Sequence, residues 1–290
     1  MAWVPIQFWP RLIRLLNTVS GAIPALVIDT RPVWEPPVQT NGFIDFALPY
    51  VAAPLQTLRR LPQSSLLNDW SALRSAKLDQ VAGLAIVATS PASVEALQGM
   101  PGLSEEIATS LARRESPLFA VGAASARYLA VWASSHGLAA DVHAPANDSG
   151  VQAFVKLLGK TSPPYPCFVL LESTSNQPDL ALSLRENGLQ AERLGLYERL
   201  DCPLASHLTK VSLPQAGHVY VLVSSSSLVG RASSELRQAG LDPHEVRWLC
   251  HHDKILRLLE AAGFPHRYCI DNLDPGTILA KVIELLRMND

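Results

Sequence analysis

The sequence predicts an α/β protein of two similar parallel-sheet lobes with a cleft between them for the active site. Three observations predict it. Short apolar runs alternate with amphipathic helices, the pattern of parallel sheets. Part of that pattern returns roughly 125–145 residues later. The chain has 290 residues, and at about 100–200 residues per domain this suits two lobes.

The strands come first. Ala25–Asp29, Leu84–Ala88, Leu118–Val121, Phe168–Leu171, Val219–Val223 and Val246–Leu249 read as buried strands, each followed by a polar or small-residue turn. Helices follow most of them. Val151, Phe154, Val155 and Leu158 share one face behind a cap at Ser149. Asp179 opens a helix stopped by Gly188, and Asp253 one stopped by Gly263. The last helix, Pro275–Arg287, carries Ile278, Leu279, Val282, Ile283 and Leu286 on one side.

The repeat pairs Leu84–Val94 with Val219–Val229, and Phe119–Gly122 with Val246–Cys250. Ala25–Asp29, with Asn41-Gly42 and the outgoing Phe46–Val51, pairs with Phe168–Leu171, Asn187-Gly188 and Leu194–Leu200. In open parallel sheets ligands sit beyond the carboxyl ends of strands. Here those ends lead into Thr30-Arg31-Pro32, Thr89–Ser93, Gly122–Ser125, Glu172–Gln177, Ser224–Ser227 and His251-His252-Asp253.

Composition excludes two classes. Hydrophobic residues make up 48% and charged residues 17%, the opposite of a disordered chain. With 24 Lys+Arg against 26 Asp+Glu, the net charge is −2, and no basic excess exists for nucleic acid. Cys167, Cys202, Cys250 and Cys269 are scattered and read as buried free thiols, which points to the cytoplasm.

Residues 1–24 read as an N-terminal extension. Pro5, Pro10, Arg11 and Arg14 interrupt its apolar character, so no membrane span of roughly 18–20 residues exists there. Its charges lie within the apolar run, unlike a secretory signal. Trp9, Leu12, Ile13 and Leu16 share a helical face, which suits a docking or membrane-surface helix. An extension without function is the preferred reading.

The hydroxyl-rich turns carry the most chemistry. A helix N-terminus offers unpaired N–H groups and partial positive charge, and Ser or Thr adds donors without bulk. Turns at Thr89–Ser93 and Ser224–Ser226, repeated in a duplicated framework, suit a polyanion. Taken singly, each reads as ordinary N-capping by Ser90, Ser93 and Ser224–Ser226. His244, His251, His252 and His266 lie near Cys250 and Cys269, but their spacings match no standard zinc pattern. Asp271 and Asp274 read as turn and cap residues. The chain contains no nucleophile elbow, P-loop or dinucleotide fingerprint.

Ile28-Asp29-Thr30-Arg31-Pro32, Ala88–Val94, Phe119–Ala126, Gly188–Arg199 with Tyr197, and Val221–Ser226 together resemble uroporphyrinogen-III synthase in the same order. The resemblance runs from about Ala25 to the C-terminus. It implies a discontinuous first domain of residues 25–47 and 201–290, a second of 48–200, and a two-stranded linker near 46–55 and 194–203. The implied activity is cofactor-free cyclisation of hydroxymethylbilane, a linear tetrapyrrole, with inversion of ring D. The implied protein is a monomer acting on a small molecule, without metal, nucleic acid or membrane span. Tyr197 matches the family's tyrosine that assists departure of the hydroxyl group, or else packs at a lobe junction. Arg31 matches a carboxylate-pairing or loop-fixing arginine. Thr89, Ser90, Ser93, Gly122, Ser125, Ser224, Ser225 and Ser226 match positions in substrate-facing loops.

The chain departs from the family pattern in three places. Val33–Asn41 is short and holds Pro36-Pro37 where the family has a helix. Glu172–Gln177 and His251–Lys254 replace other loop sequences, and Glu172 would oppose a polyanion. A catalytically impaired tetrapyrrole-binding or interaction module of the same fold is therefore the second reading.

Overall fold

The computed structural model describes residues 25–35, 49–78, 83–114, 116–139, 141–146, 150–159, 167–175, 179–208 and 218–288. Met1–Pro24, Pro36-Pro37, Asn41-Gly42, Ser149 and Gln177, each named above, lie outside the described residues.

In chain order the strands are β1 (Ala25–Asp29), β2 (Val33–Trp34), β3 (Tyr50–Ala52), β4 (Gln56–Arg60), β5 (Ala85–Ala88) and β6 (Leu118–Ala120). They continue as β7 (Val142–His143), β8 (Cys167–Ser173), β9 (Gln190–Asp201), β10 (His218–Leu222), β11 (Arg247–Cys250) and β12 (Arg267–Cys269). The helices are α1 (Gln63–Ala76), α2 (Pro91–Gln98), α3 (Pro101–Ala112), α4 (Ala123–Ser135) and α5 (Val151–Leu158). After them come α6 (Asp179–Glu186), α7 (Leu204–Leu208), α8 (Val229–Gln238), α9 (Asp253–Ala261) and α10 (Pro275–Arg287).

The protein is α/β, with two sheets. One compact unit takes the described residues up to Thr57 together with those from Leu200 onward; the other is Leu58–Arg199. The division passes through β4 and β9, which are neighbours in one sheet.

The first unit holds a five-stranded sheet in the order β12-β11-β10-β1-β3, with the pairs parallel. Its strands are apolar on both faces because helices cover both, as parallel sheets require. Leu26, Ile28, Val221 and Trp248 pack with Leu204 of α7, Leu236 of α8 and Leu259 of α9. On the other face Ala25, Val27, Tyr220 and Leu249 meet Ile278, Leu279, Val282 and Leu285 of α10. Pro275 at the first helical position and Arg287 in the last turn suit the ends of α10.

The other sheet runs β2-β4-β9-β8-β5-β6-β7, parallel from β9 through β7. Ala85, Val87, Phe119, Phe168 and Leu170 form a core with Phe154 of α5 and Leu180 and Leu184 of α6. Phe119 meets Phe154 edge-on, with ring centroids 5.9 Å apart.

The sequence repeat has a topological counterpart. The spatial order β3-β1-β10-β11-β12 matches β9-β8-β5-β6-β7 strand for strand. It pairs β1 with β8, β10 with β5 and β11 with β6, as the repeated motifs do. The chain enters the two orders at different strands. The helices at Asp179 and Asp253 end before Gly188 (φ 76°) and Gly263 (φ 77°), the left-handed positions that favour glycine.

Three expectations need correction. The cysteines are not uniformly buried: Cys167 and Cys250 are, Cys202 is half-buried, and Cys269 is exposed. Cys269 ends β12, which among the described residues is an edge strand of its sheet. Ser224–Ser226 do not cap an α-helix: a 3₁₀ turn at Ser226–Leu228 intervenes, and α8 begins at Val229 without a side-chain cap. Glu172 is no loop charge; it is 3% exposed on β8 and ion-paired to Arg193.

Candidate active site

In the Leu58–Arg199 unit, β5 ends at Ala88 and the chain turns through Thr89 into α2. Ser90 is the N-cap. Its Oγ accepts the amide of Ser93 at 3.1 Å, and the amide of Ser90 donates to Ser93 Oγ at 3.4 Å. This reciprocal box satisfies orphan donors of the first turn. Ser93 is fully buried and donates to Ser90 O at 2.7 Å, so its hydroxyl serves the cap. Thr89 Oγ1 donates to Leu171 O at 2.8 Å, bridging β5 to β8.

Tyr197 reaches the same place from β9. A register shift between Glu172 and Ser173 pairs Glu172 with Gly195 but Ser173 with Tyr197, leaving Leu196 as the extra residue. Such a bulge re-aims the side chains beyond it. Gly195 is required there: a Cβ would lie 2.6 Å from Thr174 Cγ2. Thr174 in turn donates its amide to Tyr197 O at 2.8 Å.

The Tyr197 side chain is buried, and its hydroxyl lies 3.2 Å from Ser90 Oγ. Arg199 Nη2 donates to the same hydroxyl at 3.4 Å, and its Cζ stands 6.0 Å from the ring centroid. Residues two apart on a strand share a face, which brings Arg199 beside Tyr197. Glu198, on the other face, pairs with Arg59 at 2.6 Å. The Arg199 amide donates to Ser175 Oγ, 3.3 Å away. Gly122 is the N-cap of α4 in extended backbone, and Ser125 is buried in its first turn.

The other unit gathers a charged cluster at the end of β1 and the start of β3. Arg31 holds the Asp29 carboxylate through Nε at 2.8 Å and Nη2 at 2.6 Å, and donates Nη1 to Leu273 O at 3.0 Å. The Tyr50 hydroxyl donates to the same carboxylate. Burial alone would lower the Arg31 pKa, but its hydrogen bond to Asp29 and that carboxylate's charge outweigh it and raise the value. Burial, then the Asp29 charge, pushes the Tyr50 phenol upward, so it stays a donor. Half-buried His251 is pushed below its ordinary value, first by burial and then by His252 and Arg31. Thr30 is buried and donates Oγ1 to Leu222 O at 2.7 Å. Ser225 Oγ and Ser227 Oγ are 2.8 Å apart, leaving hydroxyls at the end of β10.

The structure thus brings Tyr197 and Ser90 into contact and gives Ser93 to capping and Thr89 to a strand bridge. Arg31 is engaged by Asp29 instead of standing open. Asp29, Tyr50 and Arg199 were not singled out from sequence as site residues. Arg199 had a signal in its two-residue offset from Tyr197. Asp29 had one too, as a carboxylate closing an apolar strand two residues before an arginine. Among the described residues no group of three or more His, Cys, Asp or Glu is placed to hold a metal. No described helix is long and apolar enough to cross a membrane.

These features define an α/β protein of two parallel-sheet units whose strands and strand-end loops carry hydroxyl, phenol and guanidinium groups. A family model described as uroporphyrinogen-III synthase HemD matches residues 51–279, and the chain belongs to that family. The fold is shared with a mutant uroporphyrinogen III synthase of the extreme thermophile Thermus thermophilus at 17% identity and TM-score 0.61, covering 92% of this chain and 100% of that one. Uroporphyrinogen-III synthetase of Helicobacter pylori 26695 matches at 16% identity and TM-score 0.50, over 88% of this chain and 99% of that one. A sequence comparison with curated proteins finds no match.

Proposed function

We propose that the chain is a uroporphyrinogen-III synthase that cyclises hydroxymethylbilane, inverting ring D, without a cofactor. The observation that carries this reading is the Tyr197 hydroxyl in a member of that family, set between Ser90 Oγ and Arg199 Nη2. The bilane loses one water overall. Tyr197 gives its proton to the departing hydroxyl, and the Arg199 guanidinium steadies the phenolate that remains. Ring closure and inversion then depend on how the flexible substrate is folded, which positioning supplies. Gly122 and Ser125 at the start of α4, with Ser90 at α2, offer N–H and hydroxyl donors to substrate carboxylates. Ser224, Ser225 and Ser226 serve the same purpose in the other unit, where Arg31, held by Asp29, fixes the loop after β1. On this reading the protein is a lyase of tetrapyrrole and heme biosynthesis, cytoplasmic and monomeric.

The test is to supply hydroxymethylbilane and resolve the porphyrin isomers after oxidation. Isomer III is expected; isomer I alone, the product of spontaneous closure, sinks the reading. The second reading, a binding module without turnover, is favoured by the engagement of Arg31 with Asp29 and the burial of Tyr197. It predicts bilane binding with isomer I as the product.

A further inference from the structure

Cys250 and Cys269 are register partners at the ends of the parallel strands β11 and β12. Partners in a parallel ladder point to the same face. Adjacent strands lie about 4.8 Å apart, inside the Cα separation of roughly 4.4–6.8 Å that a disulfide spans. The Cys250 thiol donates to the carbonyl of Tyr268, the residue before Cys269, at 3.7 Å. Cys269 is exposed and Cys250 is buried directly beside it. Neither remaining cysteine has this geometry: Cys167 faces Gln190 in its ladder, and the Cys202 thiol lies 3.8 Å from Thr57 Oγ1.

We infer that Cys250 and Cys269 are a dithiol modification site, converted by a peroxide into an intramolecular disulfide. The exposed Cys269 reacts first. Its thiolate attacks one oxygen of hydrogen peroxide and becomes a sulfenic acid, and the second oxygen leaves as hydroxide, protonated to water. Cys250 then loses its proton and attacks the Cys269 sulfur, expelling the hydroxyl as a second water. Two thiols and one peroxide thus give one disulfide and two waters. Burial is the main cause that pushes the Cys250 thiol up to about 11, so the second step quickens and the disulfide yield rises with pH.

The position gives the bond a consequence. Cys250 precedes His251, and Cys269 lies shortly before Leu273, whose carbonyl accepts from Arg31. Oxidation ties together the loops after β11 and β12, both of which belong to the surroundings of Arg31. The inference stands apart from the catalytic reading.

The experiment treats the reduced full chain with hydrogen peroxide, alkylates it with iodoacetamide in denaturant and digests it without reductant. A linked Cys250–Cys269 peptide pair is expected, both cysteines escaping alkylation together and both recovered by dithiothreitol. Cys269→Ser changes an exposed side chain; it should remove the link and leave Cys250 fully alkylated. Sulfinic acid on Cys269 with Cys250 still a thiol would overturn the inference. So would links that join two chains.

Discussion

Ser90 Oγ lies 3.2 Å from the Tyr197 hydroxyl, a contact between residues 107 positions apart that ties the start of α2 to β9. The same oxygen accepts the Ser93 amide at 3.1 Å. Removing it should therefore cost twice. Ser90→Ala is expected to lose about 1 kcal/mol from the cap alone, read as a lowered Tm. Turnover should fall as well, which Ser93→Ala should not reproduce to the same degree. Steady-state kinetics beside thermal melts checks both.

Tyr197→Phe keeps the buried ring and deletes only the hydroxyl. If the phenol is the acid, turnover should drop on the order of 100-fold, the lower range for proton transfer by a side chain, while the Tm moves little. Arg199→Gln should lower turnover with KM nearly constant, and Arg199→Lys should restore part of it. Unchanged turnover in Tyr197→Phe would remove the tyrosine from the mechanism.

The close approach at Gly195 gives a rescue experiment. Gly195→Ala drives a Cβ to 2.6 Å from Thr174 Cγ2, while the next nearest atom, Thr174 Cα, is at 3.5 Å. The single change should destabilise by about 1–3 kcal/mol through crowding. Thr174→Ser removes Cγ2 and keeps the hydroxyl, so the double variant should recover most of the loss in urea unfolding. Equal midpoints for the single and double variants would contradict the contact.

Burial predicts an asymmetry between Asp29 and Arg31. The Asp29 side chain is 7% exposed and that of Arg31 is 28% exposed. Arg31→Met strands a buried carboxylate, whereas Asp29→Asn leaves a guanidinium that still reaches water. Breaking a buried pair costs up to roughly 3–5 kcal/mol, and the partial exposure of Arg31 reduces that here. Arg31→Met is expected to be the more destabilising of the two, by denaturant titration.

His251 predicts a pH effect. Its folded-state value is depressed, by burial first and then by His252 and Arg31. Above the unfolded value of about 6.5 both states are neutral and nothing is lost. As pH falls, the unfolded chain takes a proton that the folded chain resists, and stability declines. His251→Asn should therefore shrink the drop in Tm between about pH 7 and 5. An identical drop in both proteins would exclude this histidine.

Much of the fold was legible in the sequence because buried parallel strands are short, apolar and punctuated. Ala25–Asp29 and Pro275–Arg287 end where their patterns end. β9 was only partly visible, since Gln190–Asp201 mixes Glu192, Arg193, Glu198 and Arg199 with its apolar positions. Three of those charges are ion-paired: Glu192 with Lys77, Arg193 with Glu172, and Glu198 with Arg59. Such pairing over long sequence distances leaves no local trace. The hydroxyl turns were legible as positions, but not their roles. Whether a serine or threonine bridges strands or meets a side chain depends on a partner such as Leu171 for Thr89 or Tyr197 for Ser90, more than 80 residues away in each case.

The two threonine bridges fasten corresponding strand pairs in opposite senses. Thr30 clips β1 to β10 from the β1 side, whereas Thr89 clips β5 to β8 from the side that corresponds to β10. Each clip fastens the central strand pair of its sheet, but from the opposite member. Matching the two sheets by strand order therefore sets each threonine at the end of the strand that accepts the other's bond.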